Sequence, residues 1–135
     1  MQPTSISSVE TGHYLIRLEQ VLTDSMHGEM HGFEIVTVRL SSADGAEGVG
    51  YTFTCGRNGG AIADILRREV AGLVTGEDPD RIEHIWNRMW WDLHYGVRGG
   101  PTVRAILALY MALWDLKAKR VGLPLWRLLG GNDPK

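Results

Sequence analysis

Two short stretches gather side chains able to do chemistry. DSMHGEMHG (24–32) sets Asp24, His27, Glu29 and His31 among Met26, Met30 and two glycines. His27 and His31 are four residues apart, a spacing that shares one face of a helix and could present two imidazoles to zinc or iron. Gly28 and Gly32 oppose a helix there. HGEMH is also not the HExxH metalloprotease pattern, since its acid stands at the wrong position. No nearby residue completes a tetrahedral set. The same segment suits a solvated loop. It also suits a mobile lid, with Met as adaptable apolar contact, His as switchable polar contact and Gly as hinge. TCGRNGG (54–60) is the second stretch. A glycine-rich turn before a helix can bind an anion through backbone N–H groups, and Arg57 could grip a carboxylate bidentately. The pattern lacks the Lys-Ser/Thr of a P-loop and fits equally a turn that merely starts a helix. Cys55 has no evident base partner, so it reads as a passive small residue rather than a nucleophile.

The elements that must position these stretches can be read from periodicity. HYLIRL (13–18), FEIVTVRL (33–40) and EGVGYTFT (47–54) alternate with period two, and SADG (42–45) supplies a turn between the last two. They predict an antiparallel meander in which the second and third strands form a hairpin. The first and second are expected to be joined by the 24–32 segment as a loop, too long for a tight turn. Ile62, Ile65, Leu66, Val70, Leu73 and Val74 fall at helical spacing, as do Ile82, Ile85, Trp86, Met89, Trp90 and Leu93. Asp78 and Pro79 suit the start of that second helix. A third helix, from about Pro101 to Val121, is apolar nearly all round and is expected to be central. Gly122 should stop it, and PLWRLL (124–129) adds a short turn. Trp86 and Trp90 read as core, whereas Trp91 could face another domain or subunit. Asp92, His94 and Arg98 could be an acid/base group, though local structural pairing is the simpler reading. Strands followed by a run of helices give an α+β fold: a three-stranded antiparallel meander, then three main helices and a short C-terminal turn.

The totals exclude several classes. A chain of 135 residues suits one domain, 1–135, able to bury about two-thirds of its unfolded surface. A formal charge of −2 with interspersed signs argues against a nucleic-acid partner. No apolar run approaches the ~18 residues of a membrane span, and MQPTSISSVETGH (1–13) has neither the basic n-region nor the apolar h-region of a signal peptide, so none is expected. The single cysteine excludes an internal disulfide and points to a reducing, cytoplasmic setting.

ALWDLKAKRVGLPLWRLLGG (112–131) and the hairpin DGAEGVG (44–50) resemble the N-terminal capping domain of the mandelate racemase and muconate lactonizing branch of the enolase superfamily. The shared features are an Ala-Leu-Trp-Asp helix, a Gly-x-Pro turn, a Leu-Leu-Gly-Gly exit and a DG-x-x-GxG hairpin. One departure is Leu109-Tyr110-Met111, where the family often has an acid. The resemblance implies that catalytic residues and Mg²⁺ ligands lie outside this chain, in a C-terminal barrel of ~250 residues. It implies a proton abstraction alpha to a carboxylate, with Mg²⁺ stabilising the enediolate. It also implies two substrate-facing loops: Met26, His27, Met30 and His31 in the first (24–32), and Thr52, Phe53, Thr54 and Arg57 in the second (51–58). Their polar, charged character suits a sugar acid, making a dehydratase, or else a racemase or epimerase, the expected enzyme. The expected partners are the chain's own barrel, a small carboxylate substrate and further copies in a homo-oligomer. The alternatives are a stand-alone α+β module that binds a ligand or protein without chemistry, and a structural assembly domain.

Overall fold

The computed structural model describes residues 3–96 and 99–132. Three antiparallel strands in the order β1-β2-β3 form one sheet: β1 Ile6–Asp24, β2 Gly28–Ser42 and β3 Glu47–Thr54. The helices follow. α1 (Gly59–Ile65), a π turn (Leu66–Val70) and α2 (Ala71–Val74) run end to end. Then come α3 (Ile82–Asp92), a 3₁₀ turn (His94–Gly96), α4 (Gly100–Arg120) and α5 (Leu125–Leu128). The α+β architecture is the one expected.

One face of the sheet carries the core. Val36, Val38 and Leu40 of β2 point to the helices and are fully buried with Ile62, Leu66, Ile85, Met89, Leu109 and Leu113. β3 meets α4 through glycine. A Cβ on Gly50 would fall inside contact distance of the Ala108 carbonyl oxygen, and one on Gly48 would do so at Ala112. Asp115 then accepts the Val49 N–H at 2.8 Å and pairs with Lys119 at 2.7 Å. The Gly-x-Gly hairpin and the Ala-Leu-Trp-Asp helix are thus two sides of one close backbone contact. The apolar alternates of β3, namely Val49, Tyr51 and Phe53, occupy the opposite face of the sheet and are exposed with Tyr14 and Ile16.

Three expectations need correction. The joint between β1 and β2 is not a long loop. β1 starts seven residues earlier than its apolar alternation suggested and runs on to Asp24, leaving only Ser25, Met26 and His27 between the strands. The turn closes because Asp24 Oδ1 accepts the N–H groups of Met26 (2.8 Å) and His27 (2.6 Å), and Gly28 takes φ +68°. Asp78 does not cap α3. It accepts the Asp80 N–H at 2.9 Å in a turn before Arg81, the residue that precedes the helix. α4 is central as expected, packed by β2, β3, α1 and α3, with Leu107 and Met111 exposed. Trp90 is also exposed, although it stacks on the half-buried Trp86 at 6.2 Å between ring centroids. Gly122, at φ +68°, ends α4 as expected.

Candidate functional site

The β1–β2 hairpin projects beyond the body of the sheet. Past Arg17 its register breaks: Arg17 pairs with Gly32 and Leu22 with Met30, so four residues of β1 oppose the single His31. The tip beyond this bulge carries His27, whose Nδ1 lies 2.8 Å from Asp24 Oδ2. The His27 backbone N–H, then its ring and the Met26 N–H, hold the Asp24 carboxyl below its usual range. That contact fixes one ring nitrogen of His27 at Asp24.

The turn after β3 is short, because 51–54 is strand and only Cys55–Asn58 is irregular. Both ends of this turn meet one carboxylate. Glu34 Oε2 accepts from Thr54 Oγ1 at 2.7 Å and from the Gly59 N–H at 2.9 Å. Its Oε1 lies 2.9 Å from His13 Nε2 on β1. These groups, Thr54 foremost, then Gly59 and His13, keep the Glu34 carboxyl below its ordinary value. A glycine-rich turn opening a helix suggested an external anion at this place. The first N–H of α1 is instead occupied by an internal one. Arg104, in the second turn of α4, donates to the Phe53 carbonyl at 2.7 Å and ties the same strand end to the helices.

Hairpin tip, turn and helix together wall a cleft of about 410 Å³. His27, Glu29 and Met30 come from the tip, Phe53, Thr54 and Arg57 from the end of β3 and its turn, and Pro101 and Arg104 from α4. Five of the eight residues expected at a substrate-facing lid, namely His27, Met30, Phe53, Thr54 and Arg57, therefore border one space. The other three do not. Met26 points outward at the tip, and Thr52 lies half-buried on the helix-facing side of β3. His31 lines a second cleft of about 320 Å³ with Arg17 and Arg57, and its Nε2 stands 3.4 Å from Glu29 Oε2. Cys55 is exposed. Of the imagined Asp92–His94–Arg98 group, His94 Nδ1 contacts the Trp91 carbonyl at 2.8 Å, and Arg98 lies outside the described residues.

The sequence reading missed Glu34, His13 and Arg104. Glu34 did leave a signal. It shares the parity of Val36, Val38 and Leu40, so an acid stands on the core-facing side of an apolar strand, where it must find donors. Arg104 and His13 left none, because their partners are backbone or side-chain atoms distant in sequence.

Comparison with known proteins fits this geometry. The model for "Mandelate racemase / muconate lactonizing enzyme, N-terminal domain" matches residues 17–130. A 3,6-anhydro-alpha-L-galactonate cycloisomerase of Streptomyces coelicolor is 49% identical over 129 residues, covering 96% of this chain and 36% of the relative. A racemase from Streptomyces coelicolor, solved with bound magnesium, superposes with a TM-score of 0.92 at 49% identity, over 96% of this chain and 36% of that one. The L-talarate/galactarate dehydratase of Salmonella typhimurium, solved with Mg and L-lyxarohydroxamate, gives 0.90 at 32% identity, over 97% of this chain and 34% of that one. The chain therefore spans about a third of the length of these relatives. Magnesium belongs to those structures. Among the described residues here, no three His, Cys, Asp or Glu side chains converge in a metal-binding group. Nor is any described helix long and apolar enough to cross a membrane. With a family model spanning 17–130 and a relative 49% identical, this chain belongs to the mandelate racemase / muconate lactonizing enzyme family, as its N-terminal domain.

Proposed function

We propose that residues 1–135 form the capping domain of a magnesium-dependent enzyme that removes the proton alpha to the carboxylate of a sugar acid. Dehydration is the favoured outcome, with racemisation or epimerisation next. Magnesium, its ligands and the acid/base residues are assigned to a barrel outside this chain. The enzyme is proposed to be a cytoplasmic homo-oligomer, a setting that suits the free, exposed Cys55. The observation that carries this reading is the shared cleft, where two segments far apart in sequence meet over one space with His27, Glu29, Arg57 and Arg104 at its wall. Such a lid excludes water and grips the distal, hydroxylated end of a substrate, which strengthens the electrostatics beneath it. The names of the relatives, a cycloisomerase of an anhydrogalactonate and a talarate/galactarate dehydratase, support a polyhydroxylated acid.

The test is an assay of the full-length protein against a panel of aldonic and aldaric acids. Turnover of at least one is expected. Arg57→Ala should raise KM by about tenfold, the loss of one charge-assisted hydrogen bond, with kcat little changed. Turnover confined to aromatic or N-acyl amino acids would remove the sugar-acid reading.

A further inference from the structure

We infer that Glu34 is a positioning residue, a carboxylate that holds both ends of the Cys55–Asn58 turn so that Arg57 enters the cleft. The inference rests on the lid reading above and adds a residue outside the cleft wall.

The geometry is specific. A single oxygen, Oε2, accepts from Thr54 Oγ1 at the last residue of β3 and from the N–H of Gly59 at the first residue of α1. The turn between them is therefore closed by a side chain from a third element, β2. The other oxygen engages His13 on β1, so the clamp spans all three strands and the helix start. A side chain at Gly59 would displace the clamp, since a Cβ there would stand 2.7 Å from Glu34 Cδ and 2.7 Å from His13 Nε2. The turn also passes near β2 at Gly32: a Cβ placed on Gly56 would be 3.4 Å from the Gly32 carbonyl oxygen. Glu34 is mostly buried, with 14% of its side chain exposed. A partly buried carboxylate with three partners at the ends of the turn is better explained by positioning than by solvation. Arg57 is exposed and lines both clefts, so its direction depends on the backbone that carries it.

Three readouts test this. Hydrogen exchange at the Gly59 amide, measured on the full-length protein without substrate, should accelerate by about tenfold or more in Glu34→Ala, which removes its acceptor. In the full-length protein the same variant should raise KM for whichever sugar acid is turned over by about tenfold, leaving kcat within about twofold. Glu34→Gln keeps an acceptor oxygen for Thr54 and Gly59 and should restore most of both values. Glu34→Ala in an Arg57→Ala background should add little, because the two act through one group. The inference is overturned if Glu34→Ala shifts only the melting temperature, or if its effect on KM is additive with that of Arg57→Ala. Should Glu34→Ala fail to fold, Thr54→Val removes one of the clamping bonds and must accelerate Gly59 exchange by a smaller factor, the readout that the position of Thr54 in the cleft wall does not confound. If Arg57→Ala itself leaves KM unaltered, the lid reading fails instead, and Gly59 exchange alone decides the role of Glu34.

Discussion

At Gly50 the backbone of β3 lies against the Ala108 carbonyl with no space for a side chain. Gly50→Ala forces the strand and α4 apart along a contact that also includes Gly48, Ala112 and the Asp115–Val49 hydrogen bond. Overpacking of this kind costs about 1–3 kcal/mol, and here neither neighbour is the end of a flexible side chain, so the upper part of that range is expected. Urea unfolding of Gly50→Ala against wild type measures it; a loss below about 0.5 kcal/mol would mean that the strand can shift freely. This contact was half legible. The Gly-x-Gly and Ala-Leu-Trp-Asp stretches stand out in the sequence as separate marks, and only their juxtaposition explains why both exist. Glu34 is the opposite case. Its parity with Val36 flagged it, yet the identity of its donors depends on where Thr54, Gly59 and His13 fold. The outward-facing Tyr14, Tyr51 and Phe53 were ambiguous, because alternation separates two faces without saying which one meets the helices.

Among the elements, the helices were readable and the ends of the strands were not. The 3.6-residue pattern of α3 and the stop at Gly122 come from local chemistry, so they survive without tertiary information. β1 gains its first seven residues, ISSVETG, from pairing with β2 rather than from apolar alternation, and Ile6 anchors them in the core. The hairpin tip was concealed for a related reason: Asp24 makes a tight turn out of a stretch that looks like a polar loop. The tip is expected to open as a unit of its own. Beyond the bulge between Arg17 and Leu22, Leu22, Thr23 and Asp24 pair with Met30, Glu29 and Gly28 on a two-stranded ribbon, and β1 there is exposed at every residue. A two-stranded ribbon without a packed face is marginal in water. Amides of Leu22–Met30 should therefore exchange far faster than those of Val36–Leu40, through local opening rather than global unfolding. Exchange mass spectrometry resolves the two segments. Equal protection would show that the tip is held as firmly as the core, and would leave a moving lid without a hinge.

Across the whole molecule, three carboxyls with lowered pKa among the described residues sit at three separated places. Asp24 is at the tip, Glu34 is in the middle of β2, and Asp44 is in the β2–β3 turn. Asp44 is held down by the Ser42 hydroxyl first, then by the Ala46 N–H and by Arg120. Arg120 has only 5% of its side chain exposed and bonds Asp44 at 2.9 Å and Asp80 at 2.6 Å, joining the turn and the segment before α3 to the end of α4. Each carboxyl titrates lower in the folded chain than in the unfolded one, so the unfolded chain binds more protons as the medium turns acid. The stabilisation is present above the unfolded carboxylate values, roughly pH 4–4.5, and is lost as pH falls through the lowered ones. The three need not contribute alike to global unfolding. Glu34 and Asp44 each tie elements that separate only when the core opens, whereas Asp24 closes a tip expected to open by itself. Urea midpoints measured from about pH 6 to pH 3 should fall with acid, and the slope should flatten in Glu34→Gln and Asp44→Asn but stay near wild type in Asp24→Asn. If Asp24→Asn flattens it as much as the other two, the tip unfolds with the core, and the hairpin and helical body form a single cooperative unit.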